Sequence, residues 1–410
     1  MVKKSHSGAG QSDANRGSAS MKERRTATVH PAPEKVKPAR DSRIVSIVEA
    51  IKSVGPRNCS LISRMTGIPI ETVRYKIKKQ LMKKGIAFHA VVDYELLGLE
   101  RYWVTMDFSE TFRSRAPQIL DALSKFGLTF YIRVLPYSSY ETMIAIPAGG
   151  LEKYKEIIGH MASAGVLNMY HVEPLDWVHC VSLRPEYYDF ERGVWDFDWS
   201  SLVPMTIRPN PLQRVPDGET KPDMMDLFIL SEMQVSSLTH LTTIARKLGV
   251  GPKTLRYHYV QHVTKDSLLA GYAVRWNGLS RTAGSLVILL VRLMDVGSDS
   301  VSDLEKVFFE LPFTWQQAYS QRGKVYTAIL SLPSDQYVNT LSYLASALPQ
   351  FRGKTETLVL DNKYAMSYTI PYEMFDPDKG WILNPAAARN ALDRVVGKVE
   401  APGQENRRVQ

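Results

Sequence analysis

Cysteine is scarce in this chain of 410 residues. Cys59 and Cys180 lie far apart and no Cys-x-x-Cys occurs, which excludes a disulfide framework and a cysteine-rich zinc site. Long apolar runs are missing as well. The densest, Leu286 to Val291, is bounded by Arg281 and Arg292, far short of the roughly 20 residues that span a bilayer, so no membrane association is expected. Residues 1–25 hold no apolar segment of the kind a secretory signal needs,. Familiar catalytic signatures are absent too: no Gly-x-Ser-x-Gly with partners, no phosphate-binding glycine loop followed by Lys-Ser/Thr, no His-Glu-x-x-His,. His258 and His262 have the i, i+4 spacing that can share a metal, but a helical wheel turns His262 toward the core edge and no third ligand suggests itself,. No catalytic residue, metal ligand or cofactor is therefore assigned, and the chain is not expected to be an enzyme.

What is present is basic, soluble, globular material. There are 51 Lys+Arg against 42 Asp+Glu, a formal charge of +9, and 44% hydrophobic residues. A cytoplasmic, nucleoid-associated protein is expected. Residues 1–40 are rich in Ser, Gly, Ala and Pro and carry nine Lys/Arg against three acids, 9 − 3 = +6. Such a segment cannot bury enough apolar surface to offset its ordering entropy, but it can hold polyanions.

An internal repeat dominates the remainder. A shift of 182 residues superposes Ile62, Arg64, Gly67, Thr72, Arg74 and Tyr75 on Ile244, Arg246, Gly249, Thr254, Arg256 and Tyr257 without a gap. The chain reads as two copies of one unit, 41–183 and 222–372, joined by a linker punctuated from Pro185 to Pro222. Each copy opens with three short helices. In the first, Ile44, Val45, Ile47, Val48 and Ile51 have helical period, Gly67 marks a sharp turn, and a longer basic helix from Pro69 or Ile70 to about Lys84 ends at Gly85. That order describes a helix-turn-helix. Each copy then reads strand, helix, strand, strand, helix, strand, the ferredoxin-like βαββαβ order.

The expected fold is thus α+β, two tandem copies of a winged helix-turn-helix followed by a ferredoxin-like domain. The boundaries are a disordered basic arm over 1–40, helix-turn-helix over 41–98, ferredoxin-like domain over 99–183, aromatic and proline-rich linker over 184–221, second helix-turn-helix over 222–280, second ferredoxin-like domain over 281–372, and a C-terminal extension and tail over 373–410. Each copy closes on an aromatic-acidic stretch, Pro185 to Trp195 and Pro371 to Trp381, expected to pack as a structural extension; the alternative is base stacking.

On the third helix of copy one, Ile70, Val73, Ile77 and Leu81 fall on one side and face a core. From Glu71 to Lys84 there are six basic residues and one acid. One such face is ordinarily just solvated; preceded by helix and glycine turn, and occurring twice, it points to duplex DNA. A major groove about 12 Å wide admits one α-helix, and base edges offer donors and acceptors to polar side chains. Thr72, Tyr75 and Lys79, with Thr254, Tyr257 and Gln261, are expected nearest base edges. Arg74, Lys76, Lys78 and Lys83, with Lys253 and Arg256, are expected on phosphates,.

The stretch from Gly67 through Thr72, Val73, Lys76 and Ile77 to Gly85 and Ile86, then Val91 to Leu99, resembles the Lrp/AsnC family of transcription regulators. The likeness covers copy one and, more faintly, copy two through Gly271 to Val274. It implies a winged helix-turn-helix, a β-strand hinge, a ferredoxin-like effector domain and a small-molecule effector of unknown identity. The interval from Ile77 to Gly85 is one residue longer than that family's usual spacing, Lys76 stands where arginine is typical, and Gly323 has no glycine counterpart in the turn Pro136 to Tyr140. Fusion implies an intramolecular pseudo-dimer, able to pair further as a homodimer, with unlike recognition helices reading a poorly palindromic site whose half-sites lie about 34 Å apart or multiples of it. The same layout resembles the siroheme decarboxylases, enzymes that carry an Arg-Arg-x-Gly-Ala-like run at the hinge. Here the hinge is Ile86 to Ala90, without the arginine pair and with His89 as the candidate histidine. A tetrapyrrole enzyme, or a general RNA- or chromatin-binding protein, are the alternative readings.

Overall fold

Apolar residues at helical spacing form α1 (Ser42–Val54), which buries Ile44, Ile47, Val48 and Ile51,. α2 (Cys59–Thr66) starts where the Asn58 side chain accepts the Leu61 N–H and stops at Gly67, whose φ of +69° is the left-handed cap glycine adopts freely,. α3 (Ile70–Tyr75) runs on as a π-helical turn over Lys76–Leu81 and a 3-10 turn over Met82–Lys84, ending at Gly85. A π turn accommodates an extra residue within a helix, which is how the long interval from Ile77 to Gly85 is absorbed. The computed structural model describes residues 42–137, 139–202, 221–265, 268–276 and 286–397. The basic arm (1–40), the proline-rich part of the linker (203–220), the chain on either side of Arg281 (277–285) and the tail (398–410) lie outside the described residues.

After β1 (Ile86–Val92) come β2 (Leu99–Phe108), α4 (Ala116–Leu123), β3 (Leu128–Leu135), β4 (Ser139–Pro147), α5 (Leu151–Ser163) and β5 (Leu167–Pro174). β6 (Trp177–Cys180) and a small hairpin of β7 (Tyr188–Asp189) and β8 (Val194–Trp195) follow. The second copy repeats the plan with α6 (Met224–Val235), α7 (Leu241–Leu248), α8 (Pro252–His258), a π-helical turn over Tyr259–Lys265, and β9 (Leu269–Trp276). Then come β10 (Leu286–Leu293), α9 (Ser298–Glu310), β11 (Thr314–Ser320), β12 (Val325–Pro333), α10 (Tyr337–Ala347) and β13 (Thr355–Ser367). The chain closes with β14 (Phe375–Asp376), β15 (Gly380–Trp381) and α11 (Pro385–Val396).

The large sheet is antiparallel, in the order β5-β2-β4-β3-β13-β10-β12-β11-β6. Its two halves, β5-β2-β4-β3 and β13-β10-β12-β11, share the strand order of a ferredoxin-like unit. β13 joins them, pairing with β10 on one side and β3 on the other. β6 extends from β5 yet pairs with β11 at the opposite end, so the sheet curls round until its edges are consecutive in the chain. Trp103, Ile132, Val134 and Met143 from one half and Ile288, Leu290, Ala318 and Ile329 from the other form one buried cluster between them. Across this interior Arg292 reaches Glu141 at 3.0 Å, and Glu141 also accepts the Trp103 and Thr105 side chains. The outer faces are covered by α4 and α5 on one half and α9 and α10 on the other. α11 packs against α4 and α5.

The expected wing within each helical head is not formed among the described residues. β1 and β9 pair with each other, Ile86 opposite Trp276 and Ala90 opposite Tyr272. The ribbon is shared: Ile86, Phe88, Val274 and Trp276 bury against the first head, Ala90, Val92 and Tyr272 against the second. Alternation along each strand leaves Ala87, His89, Ala273 and Arg275 on its other face. The aromatic-acidic stretches are structural. Tyr188 is buried in the first head's core, and the Trp381 indole donates to Leu97 O at 2.6 Å, so neither ring is offered to a base.

Candidate ligand pocket

β9 reads Leu-Ala-Gly-Tyr-Ala-Val-Arg-Trp, one cation in an otherwise apolar strand. That cation, Arg275, opens onto a cavity of about 180 Å³ where the ribbon meets the second half of the sheet. Trp195, Trp276, Phe313 and Trp315 supply its aromatic walls, and Thr314, Ser331 and Asn362 its remaining polar lining. The Arg275 guanidinium lies over the Trp315 ring, 4.6 Å from its centre. Three of the lining residues each carry a buried side-chain N–H without a hydrogen-bond partner: Arg275 Nη1, Trp195 Nε1 and Trp276 Nε1. A buried donor left unmade costs about 1–3 kcal/mol, more when charged, so three of them among the residues lining one cavity is an unusual concentration.

The charge balance sharpens this. Arg184 lies beside Glu186 and Glu310, Arg133 beside Asp361, and Arg292 between Glu141 and Glu356. Among the described residues no carboxylate comes within ion-pair distance of Arg275. Burial pulls its guanidinium below its ordinary value, opposed by the neighbouring Cys180; it nevertheless stays charged, because arginine does not give up its proton in proteins. The site therefore combines an uncompensated cation, two indole donors and flat aromatic walls. That combination suits a carboxylate carried on an aromatic body.

His89 stands on the same face of the ribbon, with Ala87 opposite Arg275 and His89 one pair further along. Its Nδ1 sits 2.8 Å from the Gln234 carbonyl, an acceptor, so Nδ1 carries the proton and Nε2 is the basic nitrogen. Burial holds its pKa below the ordinary histidine value, the Gln234 carbonyl opposes this, and the Arg275 charge lowers it further. The hinge Ile86 to Ala90 has no arginine of its own, but strand pairing brings Arg275 to it from the other copy. Sequence reasoning missed Arg275; its signal was a lone cation in a strand whose other residues are apolar.

The residues expected to meet DNA divide unequally. Tyr75 and Tyr257 are each 59% exposed at matching positions. Arg74, Lys78, Lys79, Lys83, Lys253, Thr254 and Arg256 are exposed, while Thr72 and Gln261 are half-buried. Arg74 is paired with Glu71 at 2.5 Å. Lys76 is a correction: it is 4% exposed and its ammonium donates to Gln80 Oε1 at 3.0 Å, so it lies at the covered edge of the apolar face beside Ile77, away from any phosphate. Pro252, at the start of α8, is exposed. At the turn holding Gly323, the Glu173 carboxylate of the first copy packs so closely that a β-carbon there would collide with it. His258 and His262, expected to lack a third ligand, are met by Asp223 and Asp226.

No known protein family matches the chain, and no curated protein matches it. Among solved structures, siroheme decarboxylase NirDL is similar over 88% of this chain and 100% of its own, with a TM-score of 0.51 and 11% identity. The same enzyme in co-complex with an iron-uroporphyrin III analogue is similar over 87% of this chain and 100% of its own, with a TM-score of 0.52 and 12% identity. At such identity the likeness is one of fold. It overturns the expectation that the chain is not an enzyme, since the whole layout, helical heads included, is one that an enzyme uses. No helix among the described residues is long and apolar enough to cross a membrane.

Proposed function

We propose that the chain binds a polycarboxylated tetrapyrrole in the manner of a siroheme decarboxylase, with Arg275 anchoring one carboxylate arm. The observation that carries this reading is Arg275, a buried cation with no carboxylate partner among the described residues, lining a cavity walled by Trp195, Trp276, Phe313 and Trp315. At about 180 Å³ the cavity takes an arm and the ring edge that bears it, the remainder of the macrocycle lying at its mouth. A carboxylate would satisfy the guanidinium in a water-poor site where charge-assisted bonds are strongest. Decarboxylation needs no oxidant: the carbon–carbon bond to the carboxylate breaks, CO2 leaves, and the electron pair left on carbon takes up a proton. His89 is the titratable side chain on the Arg275 face of the ribbon and the group assigned to handle that proton.

Absorbance titration with iron-uroporphyrin III tests the reading. A saturable shift of the Soret band is expected, with affinity falling at least tenfold, about 1.4 kcal/mol, in Arg275→Ala. Release of CO2 from bound macrocycle separates an enzyme from a binder. No shift with the intact chain would end the proposal.

A second reading is favoured by a separate observation. Tyr75 and Tyr257 stay exposed, on helices whose solvent faces hold Lys78, Lys79, Lys83, Lys253 and Arg256. We infer from this that the heads can engage duplex DNA. Replacing Lys79 and Lys83 by Ala should weaken binding to all sequences and lower the salt slope by up to about 2; an unchanged slope would contradict it.

A further inference from the structure

His258 and His262 sit one turn apart at the junction of α8 and its π-helical extension, and both aim Nδ1 at one carboxylate. His258 Nδ1 is 3.0 Å from Asp226 Oδ1 and 3.4 Å from Asp223 Oδ2; His262 Nδ1 is 3.0 Å from Asp226 Oδ2. One ligand atom from each of these four residues falls within 4.8 Å of all the others. Asp226 has no solvent exposure, the two histidines are partly covered, and Asp223 lies at the surface.

The fold does not require this cluster. The 182-residue shift places Ile44, Lys76 and Gln80 where Asp226, His258 and His262 stand. There the same first and third helices pack with a buried isoleucine and a Lys76–Gln80 hydrogen bond. Asp223 corresponds to Asp41, outside the described residues. Asp223 and Asp226 do form a capping box at the start of α6, but a capping box needs no histidines and no second-helix partner. The second copy has instead buried a carboxylate, at a desolvation cost, and surrounded it with two imidazoles.

We propose that Asp223, Asp226, His258 and His262 form a binding site for a divalent transition metal with the preferences of Zn2+. Two nitrogens and two carboxylate oxygens are a borderline donor set that suits zinc and its neighbours and not Mg2+ or Ca2+, which take oxygen ligands. Ligands at about 2.0–2.1 Å around a tetrahedral zinc are separated by about 3.3 Å. The 3.4 Å from His258 to Asp223, and the 3.0 Å from either imidazole to its own Asp226 oxygen, approach such an edge, and all four donors lie within 4.8 Å of one another. To ligate, each imidazole must present Nδ1 without its proton, as the neutral ring with the proton on Nε2, and the cation then replaces the two Nδ1–H donors in meeting the buried carboxylate. The metal would clamp α8 and its extension to α6. The exposed Tyr257, whose ring packs at 5.9 and 5.8 Å from His258 and His262, would be held with them. This proposal depends on neither reading of function above.

The test uses the untagged full chain, stripped with chelator, reloaded with Zn2+ and passed through a desalting column. One zinc retained per chain and a higher thermal midpoint are expected. Loading with Co2+ should give the intense visible bands of a four-coordinate site. The variant D226I/H258K/H262Q installs the side chains that the first copy uses at these places, and it should fold, retain no zinc and show no thermal shift. Substoichiometric zinc in the intact chain, or equal zinc in the variant, overturns the site. If the variant fails to fold, the cobalt spectrum of the unaltered chain decides: only weak six-coordinate bands would overturn the proposal.

Discussion

The guanidinium of Arg275 rests 4.6 Å from the centre of the Trp315 ring, held by an aromatic face and answered by no acid among the described residues. An arginine in that position is costly to the free protein, a cost that an anion bound there would offset. Replacing it by methionine keeps the stem and removes the charge. The expected result for Arg275→Met is a free protein as stable as before or more so, by up to about 2 kcal/mol, in urea unfolding. A clear loss of stability would mean the cation is already neutralised.

Glu141 ties the two halves of the sheet through Arg292 and accepts from Trp103 and Thr105 as well. Truncating one partner of a buried pair leaves the other uncompensated, a penalty of about 3–5 kcal/mol. Glu356 also contacts Arg292, so Glu141→Ala should fall near the lower end, at about 3 kcal/mol. Glu141→Gln, which keeps an acceptor, should lose less. Chemical denaturation of both variants checks the order.

Gly55 follows α1 with φ of +77°, and a β-carbon there would come within 2.4 Å of the Tyr272 ring. Gly55→Ala carries a left-handed penalty of roughly 1 kcal/mol and about 1–3 kcal/mol of overpacking. In a Tyr272→Leu background the second part should shrink. A double-mutant cycle reads this directly, and strict additivity would show that the close approach does not matter.

His89 has a folded-state pKa below its ordinary value of 6.5. Below that pH the unfolded chain takes up a proton that the folded chain resists, so folding stability falls as pH drops from neutrality and levels off once the folded imidazole is also protonated. His89→Gln should flatten this part of the profile. Unfolding free energies between pH 7.5 and pH 5 for both proteins provide the check, and parallel profiles would remove His89 from consideration.

Much of the architecture was legible because it is local. The 3.6-residue period of Ile44, Ile47, Val48 and Ile51, the glycine stops at Gly67 and Gly85, and the strand at Thr314–Ser320 are all dictated within a few residues. The pairing of β1 with β9 was not legible, since the two strands lie in different copies and nothing within either one names its partner. The burial of Lys76 was not legible either, because a helical wheel puts it only at the flank of the apolar face and says nothing of what covers that flank. The candidate pocket escaped for a further reason: Trp195, Arg275 and Trp315 come from three separate elements, and nothing in their spacing links them.

By itself the sequence determined that the chain is one unit written twice, three short helices before a βαββαβ run, since hydrophobic period and turn chemistry act over neighbouring residues. Only the tertiary structure decided how the two copies share a curled sheet and a common ribbon, and which polar groups were left unanswered or drawn together. Those outcomes depend on side chains meeting across the 182-residue repeat, where burial and charge, not local propensity, set the free energy.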